Sequence, residues 1–447
     1  MNTEPDRLLI EGGRIIDPSQ GIDGVGNLLI TEGKISWLGV GEVSPPRSSY
    51  DILHAQGLIV CPGFIDLHCH LREPGFEEKE TIASGTRAAA RGGFTTICCM
   101  PNTDPPLDNQ ATIEYIEEKA TGEGVVRVLP IGCVSKGREG EELAGLEVLA
   151  STGVIGFSDD GEPVKNSRLM RQALECSRVL DLPIIDHCED KTLTEGGVMN
   201  EGIIAAKLGL QGMPAVAEEI MVARDLALAQ LTGARLHIAH VSTEGSVDLI
   251  HRAKEKGIRV TAEVTPHHLT LTEEAVIGHG ANAKVNPPLR TKRDIQALIQ
   301  GLKDNVIGII ATDHAPHTEA DKLCEFSKAA FGISGFETTL GSLMDLVHNG
   351  QLGLSTLIAK LTCEPAKIVG NKYGTLGTFS IGAPADVTLF DPDMNWVVDT
   401  AVFASKGKNT PLAGSVLKGK VMATISQGKL VYKDDGIVIE KGAVLKK

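Results

Sequence analysis

The run Pro62-Gly63-Phe64-Ile65-Asp66-Leu67-His68-Cys69-His70 ends an apolar stretch with two histidines at i and i+2. On a strand, side chains alternate, so His68 and His70 point the same way and can share one metal ion. Two hydrogen-bonded structural histidines would give the same short pattern. Other apolar runs, however, close in the same manner: Gly156-Phe157-Ser158-Asp159-Asp160, Ile184-Ile185-Asp186-His187, His237-Ile238-Ala239-His240, and Ala311-Thr312-Asp313-His314-Ala315-Pro316-His317. A purely structural role would have to recur at all five run ends, whereas one converging ligand set explains them together. Imidazole and carboxylate ligands suit zinc, and manganese or cobalt could substitute.

Spacing sorts some of these residues. His237 and His240 lie three apart and face opposite sides of a strand, the later one nearer its end, so His237 reads as a satisfied structural histidine. Asp159 and Asp160 also face opposite ways, and spacing alone does not choose between them. His267 and His268 read as structural or supporting. Cys69 should point outward, away from its neighbouring histidines, and Cys188 beside His187 reads as packing.

Such residues need a scaffold whose strand ends converge. Apolar, β-branched runs begin near positions 63, 94, 126, 154, 183, 235, 258 and 306. Stretches of helical periodicity separate them, for example Glu80–Arg91, Ser167–Leu180 and Ala215–Leu231. Eight strand–helix units predict an α/β protein, a (β/α)8 TIM barrel with its site at the C-terminal strand ends. Residues 1–60 and 376–447 instead read as short β runs broken by glycine, such as Leu8-Leu9-Ile10 and Ala385-Asp386-Val387-Thr388-Leu389-Phe390. They predict a small β-sandwich module built from both chain ends, flanking a barrel over 61–375. Thr318–Ala330 sits where a loop over the site is expected.

Composition excludes several classes of partner. A net charge of −15 over 447 residues, with no basic block, argues against nucleic acid and against anionic membranes. No apolar run approaches the roughly 20 residues needed to span a bilayer. Met1-Asn2-Thr3-Glu4-Pro5-Asp6 lacks the start of a signal peptide. The nine cysteines are scattered without a C-x-x-C pair. Together these features predict reduced thiols and a cytoplasmic location.

The run His68-Cys69-His70-Leu71-Arg72-Glu73-Pro74-Gly75 resembles the signature of class I dihydroorotases, within the amidohydrolase superfamily. Met100-Pro101-Asn102-Thr103, Asn286-Pro287-Pro288-Leu289-Arg290, Asp313-His314-Ala315-Pro316-His317 and Gly374-Thr375-Leu376-Gly377 are similar to later motifs in the same order, so the resemblance spans essentially the whole chain. It implies two zinc ions. His68 and His70 would bind the first, His187 and His240 the second, and Asp160 would bridge both. Asp313 would touch the first and serve as the catalytic acid–base. The resemblance thereby selects Asp160 over Asp159. Val154–Gly161 contains no lysine, which resembles the aspartate-bridged subgroup rather than enzymes bridged by a carbamylated lysine. His70, Arg72, Asn102, Asn286, His317 and the backbone around Phe331 and Gly332 match substrate-binding positions. Taken without the resemblance, Asn102 and Asn286 would read as turn residues.

The implied reaction is the reversible interconversion of N-carbamoyl-L-aspartate and (S)-dihydroorotate in de novo pyrimidine biosynthesis. Two divalent ions would acidify water and polarise the amide carbonyl. Asp313 would take a proton and return it to the ring nitrogen, and Arg72 would offer its planar fork to the exocyclic carboxylate. The competing readings are another cyclic amidohydrolase (dihydropyrimidinase, hydantoinase or allantoinase) and a non-catalytic barrel partnering aspartate transcarbamoylase. The partner arrangements compatible with the resemblance are a homodimer and association with that transcarbamoylase.

Overall fold

In a computed structural model of the chain, residues 7–41 and 49–444 are described; the acidic hexapeptide Met1–Asp6 lies outside them. The central segment holds, besides a two-stranded parallel pair of Met199–Asn200 with Gly212–Met213, two larger parallel sheets. Phe64–Cys69, Phe94–Cys99 and Arg127–Pro130 form one, and Ile184–Asp186, Leu236–Ile238, Val260–Val264 and Ile309–Ile310 the other. Isolated parallel bridges Gly132↔Phe157 and Phe157↔Ile184 join the first sheet to the second, and Cys69↔His314 joins the segment that follows the last strand to the first.

The expected fourth strand is therefore a correction: the run from 154 is not a strand but a bridge centred on Phe157. Its ladder bonds exist on both sides, with Ile155 N donating to Pro130 O, Phe157 N to Pro183 O, and Ser158 N to Gly132 O. They end after one turn because the Asp159 carboxylate captures the Val134 and Ser135 amides and turns the chain away.

The helices form where expected. Ser167–Leu180 is capped by Asn166, and Ile82–Arg91 starts at a capping box of Thr81 and Ser84. Within the strands, Ile65, Leu67, Leu129, Ile185 and Ile309 belong to an inner apolar cluster, whereas Phe64, Cys69, Phe94 and the helices build an outer one. A register shift between Asp66 and Cys69 inserts one extra residue, so the alternation resets just before His68.

The runs at the two chain ends all form strands, and they pair into one nine-stranded mixed sheet. Arg7–Asp17 branches: its first half pairs with Ser49–His54 and its second half with Ile59–Pro62, across a bulge at Glu11/Gly13 where Gly12 adopts φ 75°. From the C-terminal side, Val387–Val397 pairs antiparallel with Ile59–Pro62. Ile10, Leu28, Leu53, Val60, Leu389 and Ile425 share one buried core. Among the described residues, no helix is long and apolar enough to cross a membrane.

Candidate active site

His68 and His70 leave the end of Phe64–Cys69 facing one cavity. Nδ1 of His68 stands 2.7 Å from Glu263 Oε1, which turns Nε2 toward Asp160 Oδ1 at 3.3 Å and Asp313 Oδ1 at 3.7 Å. His70 is turned the same way: Nδ1 meets Asn102 Oδ1 at 2.9 Å, leaving Nε2 3.0 Å from Asp313 Oδ1 and 3.6 Å from Asp160 Oδ2. His187 and His240 enter from the next strands, with Nδ1 of His187 2.9 Å from Nε2 of His240 and 3.8 Å from Asp160 Oδ1. His240 Nε2 lies 3.6 Å from the same oxygen. Five residues from four strand ends thus surround Asp160.

The electrostatics of this group favour a cation. Burial opposes ionisation of Asp160 and Asp313, yet the surrounding imidazoles outweigh it and hold both carboxyls well below the ordinary range. His68 Nε2, Asp160 Oδ1 and His240 Nδ1 are buried without a hydrogen-bond partner, which is costly unless something else satisfies them. His68, His70 and Asp313, and likewise His68, Asp160 and His240, present ligand atoms within 4.8 Å of one another. Imidazole nitrogens and carboxylate oxygens aimed at one point fit a divalent metal.

A second layer orients these side chains; of its members, Glu263, Glu189 and Arg138 are not among the residues singled out from the sequence, whereas His237 and His268 are. Glu263 spans His68 and His237, and both help hold its carboxyl down to about 2 against the opposing effect of burial. Its signal is a charged residue inside the buried strand Val260–Val264. Glu189 accepts from Asn286 and stands 3.0 Å from His187 Nε2. Arg138 donates to the carbonyls of Asp159 and Asp160. His237 is satisfied by Thr261 and Glu263, and His268 by Thr265 and Pro287. Asp159 holds the Ser135 loop.

The opposite end of the cavity is cationic. Arg72 is half-buried, and desolvation lowers its guanidinium to about 10, so it remains charged at neutral pH. Its Nε donates to Pro316 O, and Nη2 lies 3.2 Å from His317 Nε2. That nitrogen is also 2.8 Å from Phe331 O. It must carry its proton to serve the carbonyl, so it cannot accept from Arg72, whose Nη2 stays available to a ligand. Burial and Arg72 lower His317 to about 3, keeping it neutral. Gly332 N donates to Lys284 O, and a Cβ at this glycine would lie 2.7 Å from the Ala315 methyl. Phe331 and Gly332 therefore contribute a close-fitting wall.

The cavity measures about 260 Å³, and all the expected site residues line it except His68, which is fully buried beneath; Gly161 and Ala315 line it as well. A larger cavity of about 870 Å³, between Glu117–Leu129 and the Ser426–Val431 hairpin, has no histidine or cysteine in its lining. Arg72, His240 and Asp313 adopt φ of 65°, 32° and 45°, a conformation side chains rarely take, so the surrounding fold holds these three in strained positions. Thr318–Ala330 starts with a capped turn at Thr318, and Lys284 Nζ donates to the carbonyls of Phe326, Ser327 and Ala329.

Comparison with known proteins places this site among relatives. A family described as Dihydro-orotase-like matches residues 57–246. The chain is 51% identical over 429 residues to a dihydroorotase of Syntrophus aciditrophicus, covering 96% of this chain and 100% of that one. It is 51% identical over 430 residues to a dihydroorotase of Pelotomaculum thermopropionicum, covering 96% and 99%. Among solved structures, the L-hydantoinase (dihydropyrimidinase) of Arthrobacter aurescens superposes with a TM-score of 0.86 at 25% identity, covering 99% and 98%.

Proposed function

The chain belongs to the dihydroorotase family, and from that premise we propose that it interconverts N-carbamoyl-L-aspartate and (S)-dihydroorotate in de novo pyrimidine biosynthesis. The observation that carries this reading is the polarity of one cavity: ligand-type imidazoles and carboxylates at one end, the free edge of Arg72 at the other. A ring with an amide to open and a carboxylate to hold matches that layout. Hydantoinases share the architecture, so the fold alone would not choose between them; Arg72 beside a neutral His317 supplies the choice.

His68, His70 and Asp313 would hold one ion, and His187 and His240 a second, with Asp160 between them; the donor set suits two zinc ions. Such ions, when bound, supply acidified water and polarisation of the amide carbonyl. Asp313 accepts the proton of the attacking water and delivers it to the departing ring nitrogen, its carboxylate lying in the cavity beside His70. In the direction of synthesis the same proton path runs backward. Arg72 pairs with the exocyclic carboxylate, and Asn102 and Asn286 flank the ring while fixing His70 and His187. Neutral His317 keeps that end from holding a second cation.

For the scaffold, the reading is a (β/α)8 barrel over 61–375. It is supported by the bridges that lead from Ile309–Ile310 back to Cys69. The segments 1–60 and 376–447 are read as one β-sandwich module, supported by their shared sheet. A cytoplasmic location, and a homodimer or a complex with aspartate transcarbamoylase, complete the proposal.

The test is to quantify bound metal and follow the interconversion by ultraviolet absorbance, with hydantoin, dihydrouracil and allantoin as alternative substrates. Turnover of dihydroorotate in preference to these rings is the expected result. Turnover only of rings without the carboxylate would overturn the substrate. Absence of any turnover in metal-loaded protein would favour the non-catalytic scaffold.

A further inference from the structure

Asn409 lies 92 residues beyond His317 in sequence, yet it closes the carboxylate end of the cavity from behind. Its side chain is buried, and all of its hydrogen-bonding capacity is used. Oδ1 accepts from His317 N and Ser334 Oγ, each at 2.9 Å, and Nδ2 donates to Ala315 O and Gly332 O, each at 3.0 Å. Its own carbonyl accepts from Ser334 N at 2.8 Å. One amide thus ties together the two backbone segments, 315–317 and 331–334, that carry His317 and the Phe331–Gly332 wall. Their direct links are the bridge His314↔Ile333, the bond from Ala315 N to Ile333 O, and that from His317 Nε2 to Phe331 O at 2.8 Å, the last of which depends on where the His317 ring is held.

The approach of this segment is close. A Cβ on Gly407 would stand 2.5 Å from Pro316 Cβ and 2.8 Å from Ser334 Oγ. The segment is anchored further back, where Ser405 Oγ and Lys406 N donate to the buried Glu80. Asn409 does not line the substrate cavity.

We propose that the Ser405–Asn409 strap is a positioning element: through Asn409 it sets the separation of His317 from the Phe331–Gly332 backbone, and so the fit of a carboxylate-bearing ring against Arg72. The inference rests on the functional reading above. The opposite, hydrolytic end is fixed by other means, since Asp66 accepts from the backbone and hydroxyl of Thr312 beside Asp313, and Asn102 meets His70. Loosening the strap should therefore weaken substrate binding and spare the chemical step.

The experiment compares metal-loaded wild type with Asn409→Ala and Gly407→Ala. Asn409→Ala should raise KM for dihydroorotate about tenfold, the order expected for one lost charged-group alignment. It should leave kcat within about twofold and bound metal unchanged. In histidine-labelled protein, the His317 ring resonance, assigned with His317→Gln, should shift or broaden while that of His237 stays in place. Gly407→Ala removes no hydrogen bond and carries the test if Asn409→Ala does not fold. An unchanged KM with an unchanged His317 resonance in a folded variant would overturn the proposal, as would a loss confined to kcat. If wild type does not act on dihydroorotate, the functional reading fails by itself. The His317 resonance then decides the strap alone, and no response to either variant overturns it.

Discussion

Glu263 and His68 meet at 2.7 Å in a fully buried pair, and this contact decides which imidazole nitrogen faces the candidate metal centre. The same carboxylate also braces His237 at 3.1 Å, so a residue that offers no ligand atom governs the orientation of one that does.

Replacing Glu263 by Gln should therefore loosen His68 without touching substrate. Supporting contacts of this kind are commonly worth about 10–100-fold in metal affinity or activity. Competition with a chelator of known affinity measures the effect, and an unchanged metal affinity would remove Glu263 from the set of orienting residues.

Asp313→Asn keeps the size of the side chain but removes its capacity to carry a proton. Turnover should fall by about 10²–10⁴, while metal held by the four histidines and Asp160 remains. Parallel assays of kcat and metal content check this; retention of near-normal kcat would exclude Asp313 as the acid–base.

Arg72→Lys preserves the charge and loses the planar fork. KM for dihydroorotate should rise by about tenfold to a hundredfold, the range for a hydrogen bond to a charged group. Steady-state kinetics at neutral pH reads this directly, and a change in kcat alone would place Arg72 elsewhere in the reaction.

Removing metal should lower stability as well as activity, because the buried unpartnered atoms of His68, Asp160 and His240 are left unsatisfied. At about a hundred times its Kd, a ligand that binds only the folded state contributes about 2.7 kcal/mol. Thermal unfolding with and without chelator should show the lower midpoint in the stripped protein, restored on adding zinc.

Glu337 predicts a pH effect on stability that is separate from catalysis. Burial pushes its carboxyl up to about 7 despite the nearby Ala404 amide and Arg91, from an ordinary value of 4.5. The folded state thus binds this proton more tightly than the unfolded state does. The contribution is fully present below pH 4.5 and is lost as pH rises toward 7. Chemical denaturation across that window should show the decline, and Glu337→Gln should flatten it.

Much of this was legible in the chain because alternation and helical periodicity are local. The cluster at His68, His70, His187, His240 and Asp313 follows from apolar runs that end in ligand-type residues, and the helix Ser167–Leu180 from its periodicity. Asp160 could be separated from Asp159 only by resemblance, because their difference lies in partners more than 20 residues away: the Val134–Ser135 loop for one and the imidazoles for the other. Sequence could not supply the positive φ of Arg72, since arginine is not a residue type that favours it. Nor could it reveal that Asn409 serves His317, because nothing local marks an asparagine as the partner of a distant backbone amide. The run at 154 failed as a strand for the same reason: a side chain from the following turn captured the neighbouring backbone.

The shared sheet has a consequence for biosynthesis. Ile59–Pro62 leads directly into the strand carrying His68 and His70, yet its neighbour is Val387–Val397, with Thr388 opposite Cys61. A nascent chain will have delivered every candidate ligand to the outside of the ribosome before that neighbour emerges, and the strap at Asn409 follows later still. Pairings so distant in sequence close late. Activity should therefore be acquired in one step only after the segment through Asn409 has emerged, and a polypeptide stalled after residue 380 would hold the full ligand complement on an unfinished frame.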